Sequence, residues 1–145
     1  MITIMSHTNV QFSVASHLLA ALALYRGEHA TSTMLAQSIN ADPSFVRRVL
    51  SKLSKAGLVI ATRGKNGACA LARDPADISL LDIYKASEAP ATFAVHSYPI
   101  EEMCPISCHI KEVMAEVLKK SQSDFERSLS DQTLADITAS IKTKY

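Results

Sequence analysis

Residues 42–72 read DPSFVRRVLSKLSKAGLVIATRGKNGACALA, and a change of period inside this stretch decides the fold class. Asp42 is a strong N-cap residue, and Pro43 suits the first helical position, where no amide hydrogen is needed and φ is already helical. Val46, Val49, Leu50 and Leu53 then recur at i, i+3, i+4 and i+7, giving one apolar stripe on a helix. Gly57 supplies the residue that ends a helix in the left-handed conformation. Beyond it the helical period stops. Residues 58–62 and 68–72 read as two strands, and between them the turn Arg63-Gly64-Lys65-Asn66-Gly67 carries Asn-Gly, a strong hairpin signal.

Working outward on the N-terminal side, Thr31, Ser32 and Thr33 offer an N-cap for a short helix with Met34, Leu35, Ala36 and Ile39 on its apolar side, ending at Asn40. Two short helices joined by a tight turn are the helix-turn-helix pattern, and the hairpin that follows makes it winged. Further upstream, Val10, Val14, Leu18, Ala21, Leu22 and Tyr25 fall at helical spacing and predict a first core helix. The apolar run from Phe12 to Leu24 has no Lys or Arg before it and is too short to span a bilayer, so it reads neither as a leader nor as an anchor. The expected location is the cytoplasm, with no membrane partner.

Charge decides the functional class. Of 15 basic residues in the chain, seven (Arg47, Arg48, Lys52, Lys55, Arg63, Lys65 and Arg73) lie in residues 43–73, which contain no acidic residue. The other eight are set against all 14 acidic residues. A cationic segment spanning two adjoining elements of an otherwise acidic chain is the footprint of a nucleic-acid surface rather than of a generic solvated face. On the second helix of the pair, the face opposite the apolar stripe carries Ser44, Arg47, Arg48, Ser51, Lys52 and Lys55. The first turn of such a helix enters the major groove, so Ser44, Arg47 and Arg48 are candidates for base contacts, and Lys52 and Lys55 for phosphates. Arg63, Gly64 and Lys65 form the wing tip, where an arginine can respond to minor-groove width.

In the C-terminal half, Ser79 and Asp82 form a capping box for a helix through about Ala86, and 88–105, with three prolines and no periodicity, reads as a loop. Ile106, Ile110, Val113, Met114, Val117, Leu118, Phe125 and Leu129 then mark a long amphipathic helix over 106–129. So long an apolar stripe is hard to cover from one small chain, and a second copy would bury it. Thr133 opens a last helix with Leu134, Ile137 and Ile141 facing inward.

The chain has three cysteines. Cys104 and Cys108 stand at the start of the long helix with His109 next. If Pro105 is the first helical residue, Cys104 is its N-cap and the first candidate for a reactive thiol, because the helix dipole favours negative charge there. The pair is a candidate redox sensor; Cys104, Cys108 and His109 are the alternative set for a metal; a third reading gives the cysteines no sensing role. Cys69 is expected to pack under the wing. No nucleophile, acid and base are arranged as in an enzyme, and the Cys104–Cys108 spacing is one residue longer than a redox C-x-x-C, so no catalytic residues are expected.

The stretch 42–88 resembles the Rrf-two family of bacterial winged-helix transcription regulators, which includes iron–sulfur, nitric-oxide and cysteine-metabolism regulators. The resemblance rests on a serine in the first turn, Leu50, Leu53, Ala56-Gly57-Leu58-Val59, Arg63-Gly64, Gly67 and Ile78-Ser79-Leu80. A similar first helix and Thr133-Leu134-Ala135-Asp136 extend it over nearly the whole chain. It implies a homodimer on a near-palindromic double-stranded DNA operator, with Ser44, Arg47, Arg48, Arg63 and Gly64 at matching positions. The chain departs from the family in having Lys65-Asn66-Gly67-Ala68-Cys69 in place of a glycine run and tyrosine, and Arg47 where the cluster regulators have glutamate. It also has two cysteines after residue 100 where those regulators have three.

The expectation is therefore a mainly α protein with a small β-hairpin (α+β). It comprises a winged helix-turn-helix domain over 8–87, a loop over 88–105, and a dimerisation helix with a C-terminal helix over 106–145 that packs on the N-terminal domain. The expected function is that of a DNA-binding regulator, a homodimeric repressor responsive to thiol oxidation, with no cofactor. The alternatives are a winged-helix module that binds protein and a regulator that senses an iron–sulfur cluster or other metal.

Overall fold

The computed structural model describes residues 10–25, 30–61 and 68–145. In chain order the elements are α1 (Gln11–Leu24), β1 (Ala30–Thr31), α2 (Ser32–Ile39), α3 (Pro43–Lys55), β2 (Val59–Ala61) and β3 (Ala68–Leu71). A 3-10 turn (Pro75–Asp77), α4 (Leu80–Ala86), α5 (Pro105–Ser130) and α6 (Leu134–Lys142) follow. They fall into two units, Met1–Ala89 with Leu129–Tyr145, and Pro90–Ser128.

In the first unit α1 is the central element. Leu18, Leu19, Ala20, Ala21 and Leu22 are consecutive and all buried, so this middle stretch of the helix is surrounded by α2, α3, α4, α6 and β3, whereas Ser13 and His17 in the first half stay exposed. The predicted stripe is corrected at its ends. Val10 and Tyr25 flank α1 as its cap residues and are 47% and 40% exposed, so the buried stripe is confined to the helix itself. Phe12 still reaches inward and meets the Tyr84 ring at 5.6 Å.

The sheet has three strands in the order β1-β3-β2, all antiparallel. The β2–β3 hairpin follows from the sequence, with Val59 opposite Leu71 and Ala61 opposite Cys69. The third strand does not: β1 is two residues long, too short to show a period, and exists because Ala30 and Thr31 find partners in Cys69 and Ala68.

Two capping boxes fasten the C-terminal helix to this unit. Asp82 N–H donates to Ser79 Oγ at 3.0 Å and Ser79 N–H to Asp82 Oδ2 at 3.0 Å, and Thr133 and Asp136 repeat the arrangement at the start of α6. The two caps lie side by side: Leu80 N–H donates to Gln132 O at 2.8 Å, and Leu134 N–H to Ile78 O at 2.9 Å. Ile78 and Leu134 are wholly buried beneath these bonds, together with Leu18, Leu19, Leu35, Leu53, Leu58 and Ile83.

In the second unit the prolines keep residues 90–104 free of helix and strand. The segment is tied to α5 by polar contacts: Thr92 donates from its amide and its hydroxyl to Gln122 Oε1 at 3.1 and 3.0 Å. Glu101 N–H donates to Ser107 Oγ at 2.8 Å, and Lys111 Nζ donates to Tyr98 O. Ile106, Val113, Val117 and Phe125 remain exposed on α5 within the single chain.

Candidate nucleic-acid interface

The site begins at Asp42. Its Oδ1 accepts from the Ser44 amide at 2.7 Å and the Ser44 hydroxyl at 2.6 Å, and these two bonds hold the Asp42 carboxyl below its usual pKa. With Pro43 in the first turn, the start of α3 is rigid. Before it, Asn40 takes the left-handed conformation at φ 57°, which lets α2 end and α3 begin within three residues.

At the other end the helix closes in a Schellman arrangement. Gly57 N–H donates to Ser54 O at 3.0 Å and Leu58 N–H to Leu53 O at 3.0 Å, with Gly57 at φ 76°. Nothing lies within 4 Å of where a Cβ would stand on Gly57, so its requirement for glycine is conformational rather than steric.

Between these ends the helix sorts its residues as its period predicts. Val46, Val49, Leu50 and Leu53 are buried, while Ser44, Arg47, Arg48, Ser51 and Lys55 are exposed. Two of the candidates are less free than the sequence implies. The Arg48 guanidinium lies over the half-buried Phe45 ring, 5.8 Å from its centroid, which orients it. Lys52 Nζ lies 3.4 Å from Glu88 Oε2, so this lysine enters any phosphate contact with a carboxylate already beside it. Sequence reasoning missed both partners. Phe45 stands three residues before Arg48 and was legible as a neighbour on the helix surface; Glu88 is 36 residues from Lys52 and gave no signal.

In the wing, β2 and β3 lie where the sequence puts them, and the tip residues Arg63, Gly64 and Lys65 lie outside the described residues. Cys69 is buried in β3, its thiol donating to Ala30 O at 3.6 Å, and burial pushes that thiol's pKa up. It therefore belongs to the packing of β1 on β3.

Within the second unit, α5 does start at Pro105, and Cys104 O accepts the first helical bond from Cys108 N–H at 3.1 Å. Cys104 is half-buried and Cys108 exposed, and both are free thiols. The Cys108 thiol lies 3.6 Å from Glu102 O. Among the described residues, no three His, Cys, Asp or Glu side chains gather as a metal site would require, His109 included. No helix among them is long and apolar enough to cross a membrane.

Residues 8–140 match the family model described as Rrf2, iron-dependent transcriptional regulator. The chain is 35% identical over 130 residues to YwnA of Bacillus subtilis (strain 168), named as an HTH-type transcriptional regulator, which covers 89% of this chain and 95% of that one. A crystal structure of a transcriptional regulator from Lactobacillus plantarum shares 28% identity with a TM-score of 0.79, covering 93% of this chain and 91% of that chain. CymR, the global cysteine regulator of B. subtilis, has the same fold at 23% identity and a TM-score of 0.66, covering 96% and 98% of the two chains.

The family description names iron, and a protein-held iron–sulfur cluster takes four ligands, most often thiolates. Among the described residues the cysteines do not complete that set: Cys69 is buried in β3 on a carbonyl, and Cys104 and Cys108 stand at the head of α5. An apolar-backed α3 with a cationic outer face, a hairpin directly after it, and a match over residues 8–140 lead to one conclusion. The chain belongs to the Rrf2 family of transcriptional regulators.

Proposed function

We propose that this regulator works as a homodimer that occupies a near-palindromic operator and represses by blocking the promoter, and that oxidation at Cys104 and Cys108 releases it. The observation that carries the dimer is the stripe on α5. In the single chain Ile106 is 72% exposed, Val113 53% and Val117 49%, all on one face of a 26-residue helix. A monomer seldom leaves so continuous an apolar surface in water, and a twofold axis through such a stripe makes it self-complementary. The same axis would present two copies of α3, which is what a palindrome reads.

In this reading Ser44, Arg47 and Arg48 meet base edges, Ser51, Lys52 and Lys55 the backbone, and the wing residues Arg63, Gly64 and Lys65 the adjacent minor groove. The redox part rests on the exposed Cys108 and on Cys104, one helical turn before it at the head of α5.

Selection of genomic fragments by the purified protein tests all parts together, run under reducing conditions, after peroxide, and with Cys104→Ser. A palindrome that is lost on oxidation only when Cys104 is present supports the full reading. A palindrome indifferent to peroxide removes the thiol switch and keeps the regulator. Enrichment of single half-sites removes the dimer. No enrichment in any condition would turn the basic face toward an acidic protein partner instead.

A further inference from the structure

The first unit contains a cavity of about 570 Å3 on the side of α1 that faces α2 and α6, lined by residues with no role in the DNA face. It is open to solvent along the exposed Ser13, His17 and Ser38, and its volume is in the range of sites that take a small organic molecule. The floor is apolar: Ala20, Ala21 and Leu24 from α1, with Ile137 and Ile141 from α6. The two alanines leave open the space that larger side chains would fill.

The polar lining consists of hydroxyl groups and one imidazole. Ser13, Ser16 and His17 follow one another up α1, Ser38 faces them from α2, and Tyr25 and Tyr145 complete the rim. His17 Nε2 and Ser38 Oγ are 3.0 Å apart and hydrogen-bond, tying α1 to α2. Ser16 Oγ is shielded from solvent and has no hydrogen-bond partner among the described residues. An unpaired buried hydroxyl is costly, and turning this one into the cavity about χ1 sacrifices no existing bond. No Asp, Glu, Lys or Arg side chain lines the pocket among the described residues, so a carboxylate ligand would find no lysine or arginine to pair with there.

From this lining we infer that the cavity is an effector site for a neutral, mainly apolar aromatic compound carrying one hydroxyl or carbonyl oxygen, a phenol-like molecule. The ring lies on the alanine, leucine and isoleucine floor, and the oxygen bonds to Ser16 and competes for the His17–Ser38 pair. Since α2 leads directly into α3, loosening that tie shifts the helix that faces DNA; this consequence rests on the DNA-binding reading, whereas ligand binding does not.

Calorimetric titration of the DNA-free full chain with 2-naphthol tests the site, with 2-naphthoate as the charged control. The expected result is one naphthol per chain and at least tenfold weaker binding of the carboxylate. Ser16→Ala should weaken naphthol about three- to tenfold while leaving the melting temperature equal or higher, since it removes an unpaired hydroxyl. Ser13→Trp, at an exposed lining position, should block binding in a folded protein. Absence of naphthol binding to the natural chain, equal binding of naphthoate, or indifference to Ser13→Trp would overturn the site. Binding of naphthol that leaves DNA affinity unchanged, in a protein that binds DNA, would overturn the effector role.

Discussion

Lys52 Nζ and Glu88 Oε2 are 3.4 Å apart, joining the outer half of α3 to the residue at which the chain is about to leave its first unit. Glu88 holds the left-handed conformation at φ 57°, so its side chain is aimed by a backbone geometry that glutamate rarely adopts.

In the proposed reading this pair competes with DNA for Lys52. The glutamate is 67% exposed, so the bond is screened and its loss changes stability by less than about 1 kcal/mol. Glu88→Gln frees Lys52 for a phosphate. DNA affinity should rise several-fold at low salt, with a steeper salt dependence by about one counterion. Anisotropy titrations over a salt series measure both; an unchanged slope would show that Lys52 never reaches the backbone.

Arg47 and Lys55 are both exposed on α3 yet should fail differently when truncated. Arg47→Ala is expected to cost about 1–3 kcal/mol on the preferred operator and to relax the preference at one base position. Lys55→Ala should weaken all sequences alike and lower the salt slope by about one. Competition against a library of single-base operator variants separates the two patterns.

Acid should loosen α3 through its cap. The Asp42 carboxyl is held below its ordinary value of 3.8 by the Ser44 hydroxyl and then the Ser44 amide. A depressed carboxyl contributes stability above its unfolded pKa, and that contribution drains away as pH falls through the folded value. Asp42→Asn keeps an N-cap acceptor that does not titrate. The difference in urea midpoint between the natural chain and the variant should therefore be constant near neutrality and change only below about pH 4. A difference that varies near pH 7 would contradict this account.

The three thiols should label in two classes. Cys69 is buried with its pKa raised by desolvation, so alkylation in the folded protein is slow at pH 7 and requires local opening. Cys108 is exposed and should be modified first. Mass spectrometry after a timed iodoacetamide pulse reads the order, and early label on Cys69 would mean that β1 does not hold β3 in solution.

A charge in the α5 stripe tests the dimer without touching the first unit. Val113→Asp and Val117→Asp each place a carboxylate where the partner's apolar face would lie, while both positions are exposed in one chain. Sedimentation should show a dimer become a folded monomer with unchanged helical content. If both variants sediment with the natural protein, the stripe has another occupant.

The sequence alone determined everything that depends on neighbours within one element. Asp42-Pro43 at the start of α3, its apolar positions from Val46 to Leu53, its end at Gly57, and the boxes Ser79/Asp82 and Thr133/Asp136 are local rules, each spanning a turn or two of chain. The exposed cationic face followed from them, because the position of a residue around a helix is fixed by its number. Tertiary structure alone decided what depended on meeting at a distance. Two residues became β1 because Cys69 and Ala68 offered them a ladder, and Lys52 found Glu88. The burial of Leu18 through Leu22 on all sides, and the cavity beside His17 and Ser38, arise from how helices far apart in sequence pack around α1. Spacing within a segment reveals which face is apolar; what covers that face, and how completely, is set by side-chain volumes brought together only when the chain closes on itself.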